Sequence, residues 1–413
     1  MRSERLLQTA TTLANSPRVI FAIALLARLR VVYQLVPTSA WHYFYGYNEF
    51  ARIAWAVVTG HGYSSPWPNT PLAPTAVEPP VYSYLLAGIF KLAGAYTYAS
   101  LWIAVGLNAV LSALTAVLIL HLGRRLFGTP TGVLAAWLWS CWLYEAAVSV
   151  RLWESSLSAL LLAIALLQLP KLAESDRISD HLLFGALAGV AVLTNTTLLA
   201  VFVFFWMWLC IGKLRRGASP RRPVLASIAV CLLVLFPWTI RNFTTFRRVI
   251  PVRDNFGLEL WIGNHADVAS QFPREFPAID PTEYNREGEI RFMEAKRQIA
   301  LQFIRQHPGE FLGLSAHRFL KFWTAPEDSA WWIVSLLAWT GMVFALWRKR
   351  FDAVPYAIVL LIFPVIYYIT HTFSSYRHPA EPAIILLAAY ALASAAEIAS
   401  WWLGHRGTRQ ASG

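Results

Sequence analysis

Residues 45–84 read YGYNEFARIAWAVVTGHGYSSPWPNTPLAPTAVEPPVYSY, and the reading of the whole chain turns on them. They follow the first long apolar run and hold two acids, Glu49 and Glu78, in a chain of which only 14% is charged. Phe50, Ile53, Ala54, Val57 and Val58 share one helical face, with Glu49, Arg52 and Ala56 on another. That pattern predicts a short helix lying on a membrane surface, closed by Gly60-His-Gly62. Pro66, Pro68, Pro71, Pro74, Pro79 and Pro80 stiffen the loop behind it. A carboxylate held beside a surface helix and a rigid loop is a setting for chemistry at a membrane face.

The rest of the chain fits that setting. Of its 413 residues 57% are hydrophobic, and the apolar residues fall in blocks. A soluble domain carries far more charge, whereas a helix crossing the hydrocarbon core needs ~20 apolar residues. The chain is expected to be an all-α polytopic membrane protein. Its net charge of +12 follows from basic cytoplasmic loops rather than from nucleic acid binding. Cys141, Cys210 and Cys231 all lie inside apolar runs and suggest neither a disulfide framework nor a metal site. The basic stretch Met1–Arg18 leads into an apolar run read as an uncleaved anchor.

About ten spans are predicted, near residues 19–36, 98–121, 129–148, 155–170, 182–196, 197–212, 223–240, 331–347, 353–370 and 382–403. Arg28 and Arg30 inside the first are costly unless they face protein or water. Val81–Leu92 could span or lie flat. Laying it flat puts Arg124, Arg125, Lys213–Arg222 and Arg348–Arg350 all on the cytoplasmic side, as the positive-inside rule asks. The chain then divides into a transmembrane module, 1–240, whose first outer loop is 37–97; a large outer loop, 241–328; and C-terminal spans, 329–413. Both termini are expected in the cytoplasm. The large loop holds twelve Lys/Arg and twelve Asp/Glu, the composition of a water-facing insert, and His265, His307 and His317 within it are expected to be solvated.

Polar residues then gather at the outer face: Glu49, Arg52, His61 and Glu78, then Arg151 and Glu154, Arg241 and Asn242, Arg253 to Asn255, and Tyr376 to His378. Arginines suit a lipid phosphate, which they hold by forked hydrogen bonds. A nearby carboxylate can take a proton from an acceptor hydroxyl. For several of these residues a structural alternative stands beside the chemical one: Glu49 with Arg52, and Arg151 with Glu154, are each spaced as pairs on one helix face.

Glu49, Gly60-His-Gly-Tyr63, Glu78-Pro-Pro-Val-Tyr82, Glu154 and Pro237-Trp-Thr-Ile-Arg-Asn242, in that order, resemble the GT-C superfamily of membrane glycosyltransferases, near the protein O-mannosyltransferases and lipid A aminoarabinose transferases. The resemblance runs from the first span to Tyr376-Arg-His-Pro379. It implies a sugar moved from a polyprenyl-phosphate carrier to a lipid, glycan or protein acceptor at the outer (periplasmic) face of the plasma membrane. Glu49 would be the base. Arg377, Arg241 and His378 would bind the donor phosphate, with Glu78, Glu154, Arg151, Tyr82, Asn242 and Arg253 in support. A divalent cation is possible. The family acid would fall near Gly46, one turn before Glu49, so Glu49 takes that role from the same face. Two other functions compete: a lipid-linked sugar flippase, or an inactive scaffold of the same fold. Clustering of ionisable residues at one face favours the enzyme over the flippase, whose polar groups would string through the bilayer.

Overall fold

Apolar runs of span length become helices because hydrocarbon offers backbone N–H and C=O groups no partner but each other. The computed structural model describes residue 8 and residues 11–35, 48–270, 281–324 and 329–410. Gly46 lies outside the described residues. The transmembrane module runs α1 (Pro17–Leu35), α2 (Glu49–Val58), α3 (Pro80–Ala93), α4 (Tyr98–Leu126), α5 (Thr129–Cys141), α6 (Leu143–Ser149), α7 (Ser155–Glu174), α8 (Ile178–Thr194), α9 (Leu198–Arg215) and α10 (Arg221–Phe246). The segment after α10 holds α11 (Phe256–Gly263), α12 (Pro281–Glu287), α13 (Glu289–Gln306) and α14 (Pro308–Thr324). The chain ends with α15 (Ser329–Trp347), α16 (Val354–Ile362), α17 (Val365–Ile369), a 3₁₀ turn Ser374–Ala380, and α18 (Glu381–Gln410).

Among the described residues seven helical segments are long and apolar enough to cross a membrane, and the chain is a multi-pass membrane protein. Three of the ten expected spans differ. α1 is 19 residues long but carries Arg18, Arg28 and Arg30. α8 has 17 residues. The expected span 129–148 breaks: α5 stops after 13 residues, and Trp142 turns to extended backbone (φ −74°, ψ 106°). The short helix α6 that follows carries the fully buried Glu145. Val81–Leu92 forms α3, whose 14 residues rise about 21 Å, short of the ~30 Å hydrocarbon core.

Small residues set how closely the helices approach. A Cβ on Gly185 of α8 would lie 2.1 Å from the Ser227 carbonyl oxygen of α10. The first half of α18 is enclosed, with Ala383 to Ala389 all buried. Arg28 is fully buried and spends its guanidinium on protein: Nε donates to Ser112 Oγ (2.7 Å), Nη1 to Ser140 O (3.0 Å) and Nη2 to Trp139 O (2.8 Å). It thereby ties α1 to α4 and α5, the arrangement an intramembrane arginine requires.

The segment after α10 is fastened to the loop after α2 by a small core of its own, in which Trp67 and Val77 meet Leu258, Ile262, Tyr284 and Phe292. The Pro237–Asn242 motif anchors the chain as it leaves α10. Trp238 Nε1 donates to Val252 O (2.7 Å) and Asn242 Nδ2 to Ile250 O (3.0 Å). Arg241 reaches back to the first loop, Nη1 to Thr75 O (2.7 Å) and Nη2 to Tyr63 O (2.8 Å). Residues 250–254 are therefore held against residues 75–78.

Candidate active site

Glu49 opens α2. Asn48 caps that helix, its Oδ1 accepting from Ala51 N (2.8 Å) while its Nδ2 donates to Leu152 O (2.7 Å). A first-turn carboxylate suits the positive end of the helix dipole. Trp67, from the proline-rich loop, donates its indole N–H to Glu49 Oε1 (2.5 Å). The Glu49 and Glu78 carboxyl groups lie close enough to titrate together. Two carboxyls in contact keep one proton between them and titrate as a pair.

Burial pushes both members above the ordinary carboxylate range, Glu78 the further. Arg253 pulls both down against that burial.

Arg253 sits against this pair. Its Nη2 lies 3.3 Å from Glu78 Oε1 and 3.4 Å from Glu259 Oε1, and its Nε donates to Val77 O (2.9 Å). Burial opposes its charge, but Glu78, Glu259, Glu154 and Glu49 together outweigh burial and raise it. Glu154 stands just before α7, with Oε1 accepting from Asn195 Nδ2 (3.2 Å) and Oε2 buried without a hydrogen-bond partner. Burial lifts it to about 8, although its own backbone N–H and Arg253 pull the other way.

The far wall comes from the C-terminal part. His371 places Nδ1 3.2 Å from Glu259 Oε2 and Nε2 3.1 Å from the Tyr376 hydroxyl. Burial lowers His371 despite Glu259, so the ring is neutral at pH 7, with its Nδ1–H on Glu259 and Nε2 accepting from Tyr376. Close approach of Gly263 sets this wall, since a Cβ there would meet the Thr370 carbonyl oxygen at 1.6 Å. The result is four carboxyl groups, one guanidinium and one neutral imidazole in a single cluster. An ionised carboxylate in it can accept a proton, and the cation can hold an anion.

Of the residues expected at the site, the structure brings together Glu49, Glu78, Glu154 and Arg253. Tyr82 supports it from behind, its hydroxyl accepting from Asn108 Nδ2 (2.8 Å) and its ring edge-on to Phe50. Arg241 and Asn242 spend their side chains on backbone carbonyls, as described. Arg151 is exposed and contributes its carbonyl to Asn108.

Arg377 and His378 lie elsewhere, with no exposed surface. Arg377 pairs with Glu381 through Nε, donates to Ser335 Oγ (2.7 Å), and stacks 4.0 Å over Trp331. His378 Nδ1 is 2.6 Å from Glu145 Oε2. His265, expected in solvent, is buried, its Nδ1–H on Trp261 O (2.7 Å).

Sequence reasoning missed Trp67, Asn195, Glu259 and His371, while Tyr376, expected at the outer face, does reach the cluster. Glu259 lies one helical turn after Asn255, whose Nδ2 it accepts, a spacing visible in the sequence. Nothing local marks Asn195 or His371. Among the described residues no three His, Cys, Asp or Glu side chains converge on a point that could hold a metal.

Residues 77–240 match the model of the dolichyl-phosphate-mannose-protein mannosyltransferase family, a stretch shorter than half the chain. No match was found among curated proteins. Three solved structures share the fold. One is ArnT from Cupriavidus metallidurans bound to undecaprenyl phosphate: 15% identity, TM-score 0.50, covering 91% of this chain and 59% of that one. The second is the oligosaccharyltransferase AglB from Archaeoglobus fulgidus with an inhibitory peptide and a dolichol-phosphate: 13% identity, TM-score 0.55, covering 95% and 52%. The third is the Archaeoglobus fulgidus oligosaccharyltransferase with Zn and sulfate: 14% identity, TM-score 0.54, covering 89% and 48%. The chain thus spans about half the length of the structures it resembles. The match over residues 77–240 and the shared fold are what this chain has in common with these membrane glycosyltransferases.

Proposed function

We propose that the chain transfers a sugar from a polyprenyl-phosphate carrier to an acceptor hydroxyl at the outer face of the membrane. The carrying observation is the contact of Arg253 with Glu78, the neighbour of Glu49, which supports a proton acceptor beside an anion site. Glu49 takes the proton of the acceptor O–H as the acceptor oxygen bonds to the anomeric carbon. The bond from that carbon to the phosphate oxygen breaks, and its electron pair leaves with the phosphate. Arg253 meets the charge that develops there.

The undecaprenyl phosphate bound to ArnT and the dolichol-phosphate bound to AglB support a carrier of that class. In this proposal Arg241 and Asn242 fasten the loop that presents Arg253, and Arg377 and His378 fasten α18. The intramembrane charges Arg28, Glu145, Arg377 and Glu381 sit in closed pairs and backbone bonds, which a flippase path would need to open.

The test is direct. Purified protein in proteoliposomes receives polyprenyl-phosphate hexoses and pentoses, and release of the polyprenyl phosphate is measured. Release by the parent that falls sharply in Glu49→Gln supports the reading. Release unaffected by both Glu49→Gln and Arg253→Ala rejects it.

A further inference from the structure

We propose that Glu289, on the segment after α10, is a positioning residue for the acid pair: it latches α13 onto the loop that carries Glu78 and, through Tyr284 and Trp67, onto Glu49. This rests on the reading of the acid cluster as the transfer site. Glu289 is the first residue of α13 and only 7% exposed. It lies more than two hundred positions from Thr75 and Ala76, both of which it binds. Oε2 accepts from Thr75 Oγ1 (2.5 Å) and from the Tyr284 hydroxyl (3.0 Å), while Oε1 accepts from Ala76 N (2.7 Å).

Each of those bonds leads toward the site. Thr75 Oγ1 also accepts from Val77 N (3.1 Å), so Glu289 sets the turn that delivers Val77 and Glu78. Val77 O is the acceptor for Arg253 Nε, and Ala76 O accepts from Asp254 N (2.8 Å). On the other branch, the Tyr284 ring packs edge-on to Trp67 with centroids 5.1 Å apart, and Trp67 is the indole that holds Glu49. One carboxylate therefore fixes the backbone before Glu78 and the side chain that aims Glu49.

A buried acid is a poor choice for stability alone, because apolar side chains of like volume usually fill such a place at least as well. Here both oxygens are spent on named donors from two distant segments. The charged and titratable groups facing Glu289 are Tyr284, Asp254 and Arg241. Burial holds Glu289 at about 7, with its three hydrogen bonds pulling down and Asp254 pushing up.

Amide hydrogen exchange of residues 75–78 and the kinetic constants are to be measured on the full-length protein in proteoliposomes. Glu289→Ala, which leaves three donors without an acceptor, is expected to speed exchange at 75–78 about tenfold or more. It should lower kcat more than it raises KM for the donor, because both acids are displaced while Arg253 loses only its support from Val77 O. Glu289→Gln keeps an acceptor for Ala76 N and should restore most of both. Thr75→Val, a milder change for use if Glu289→Ala does not fold, should show the same split in smaller measure. Unchanged exchange in Glu289→Ala, or in Thr75→Val in its place, overturns the latch. Faster exchange with unchanged kcat overturns the positioning role. If the parent transfers no sugar while the amides respond, the transfer reading falls and the positioning role with it, while the latch stands.

Discussion

Arg253 Nη2 and Glu78 Oε1 are 3.3 Å apart although 175 positions separate them in the chain. Their contact joins the loop after α2 to the segment after α10 at the acid cluster. If Arg253 meets the departing phosphate, Arg253→Ala should weaken donor binding by about 10- to 100-fold, the loss of a charge-assisted hydrogen bond. Arg253→Lys keeps the charge but loses the fork, and should recover only part of it. Titration of the purified variants with undecaprenyl phosphate reads this without turnover; equal affinity in parent and Arg253→Ala would remove Arg253 from the anion site.

Glu49→Gln preserves shape and removes the proton acceptor, so turnover should drop ~10²–10⁴-fold with donor affinity nearly unchanged. Trp67→Phe leaves the carboxylate but deletes its indole donor, and a smaller loss, about tenfold in kcat, is expected. A Trp67→Phe loss equal to that of Glu49→Gln would mean that the indole does more than orient the acid.

Glu154 gives a pH signature. Its folded pKa of about 8 lies above the ordinary carboxylate value, so the folded state binds its proton more tightly than the unfolded state. The stability it contributes is complete below the unfolded pKa and is lost as pH rises through about 8. Glu154→Gln cannot ionise, so its melting temperature should fall less than the parent's between pH 5 and pH 9 (about the range in which both states titrate). Parallel melting curves for the two proteins across that range would contradict this.

Arg377→Ala should cost stability before it costs affinity. It leaves Glu381 buried without its cation, a change of ~3–5 kcal/mol for a buried pair. The expected result is a large drop in melting temperature in detergent. A variant that melts with the parent yet fails to bind polyprenyl phosphate would move Arg377 into the donor site.

Sidedness has its own test. In a background lacking Cys141, Cys210 and Cys231, a cysteine at position 285 should react with an impermeant reagent added outside intact cells, and one at position 217 should not. Labelling at 217 alone would invert the arrangement.

Helical class and seven of the ten expected spans were legible in the sequence, because a hydrocarbon core tolerates only long apolar helices and that demand is written residue by residue. The break at Trp142 was not, because 129–148 is apolar on both sides of it and only the burial of Glu145 shows what the break achieves. Glu49, Glu78, Glu154 and Arg253 stood out as rare charges beside membrane spans. Arg377 stood out equally, yet its neighbours Trp331, Ser335 and Glu381 turn it inward. Charge and position along the chain are local properties. Which charge faces which, and across what gap, depends on how helices far apart in sequence pack, as when Gly263 lets its backbone close on Thr370 and brings His371 to Glu259. That choice belongs to packing, because each buried ion is held only where a distant partner offsets its lost hydration.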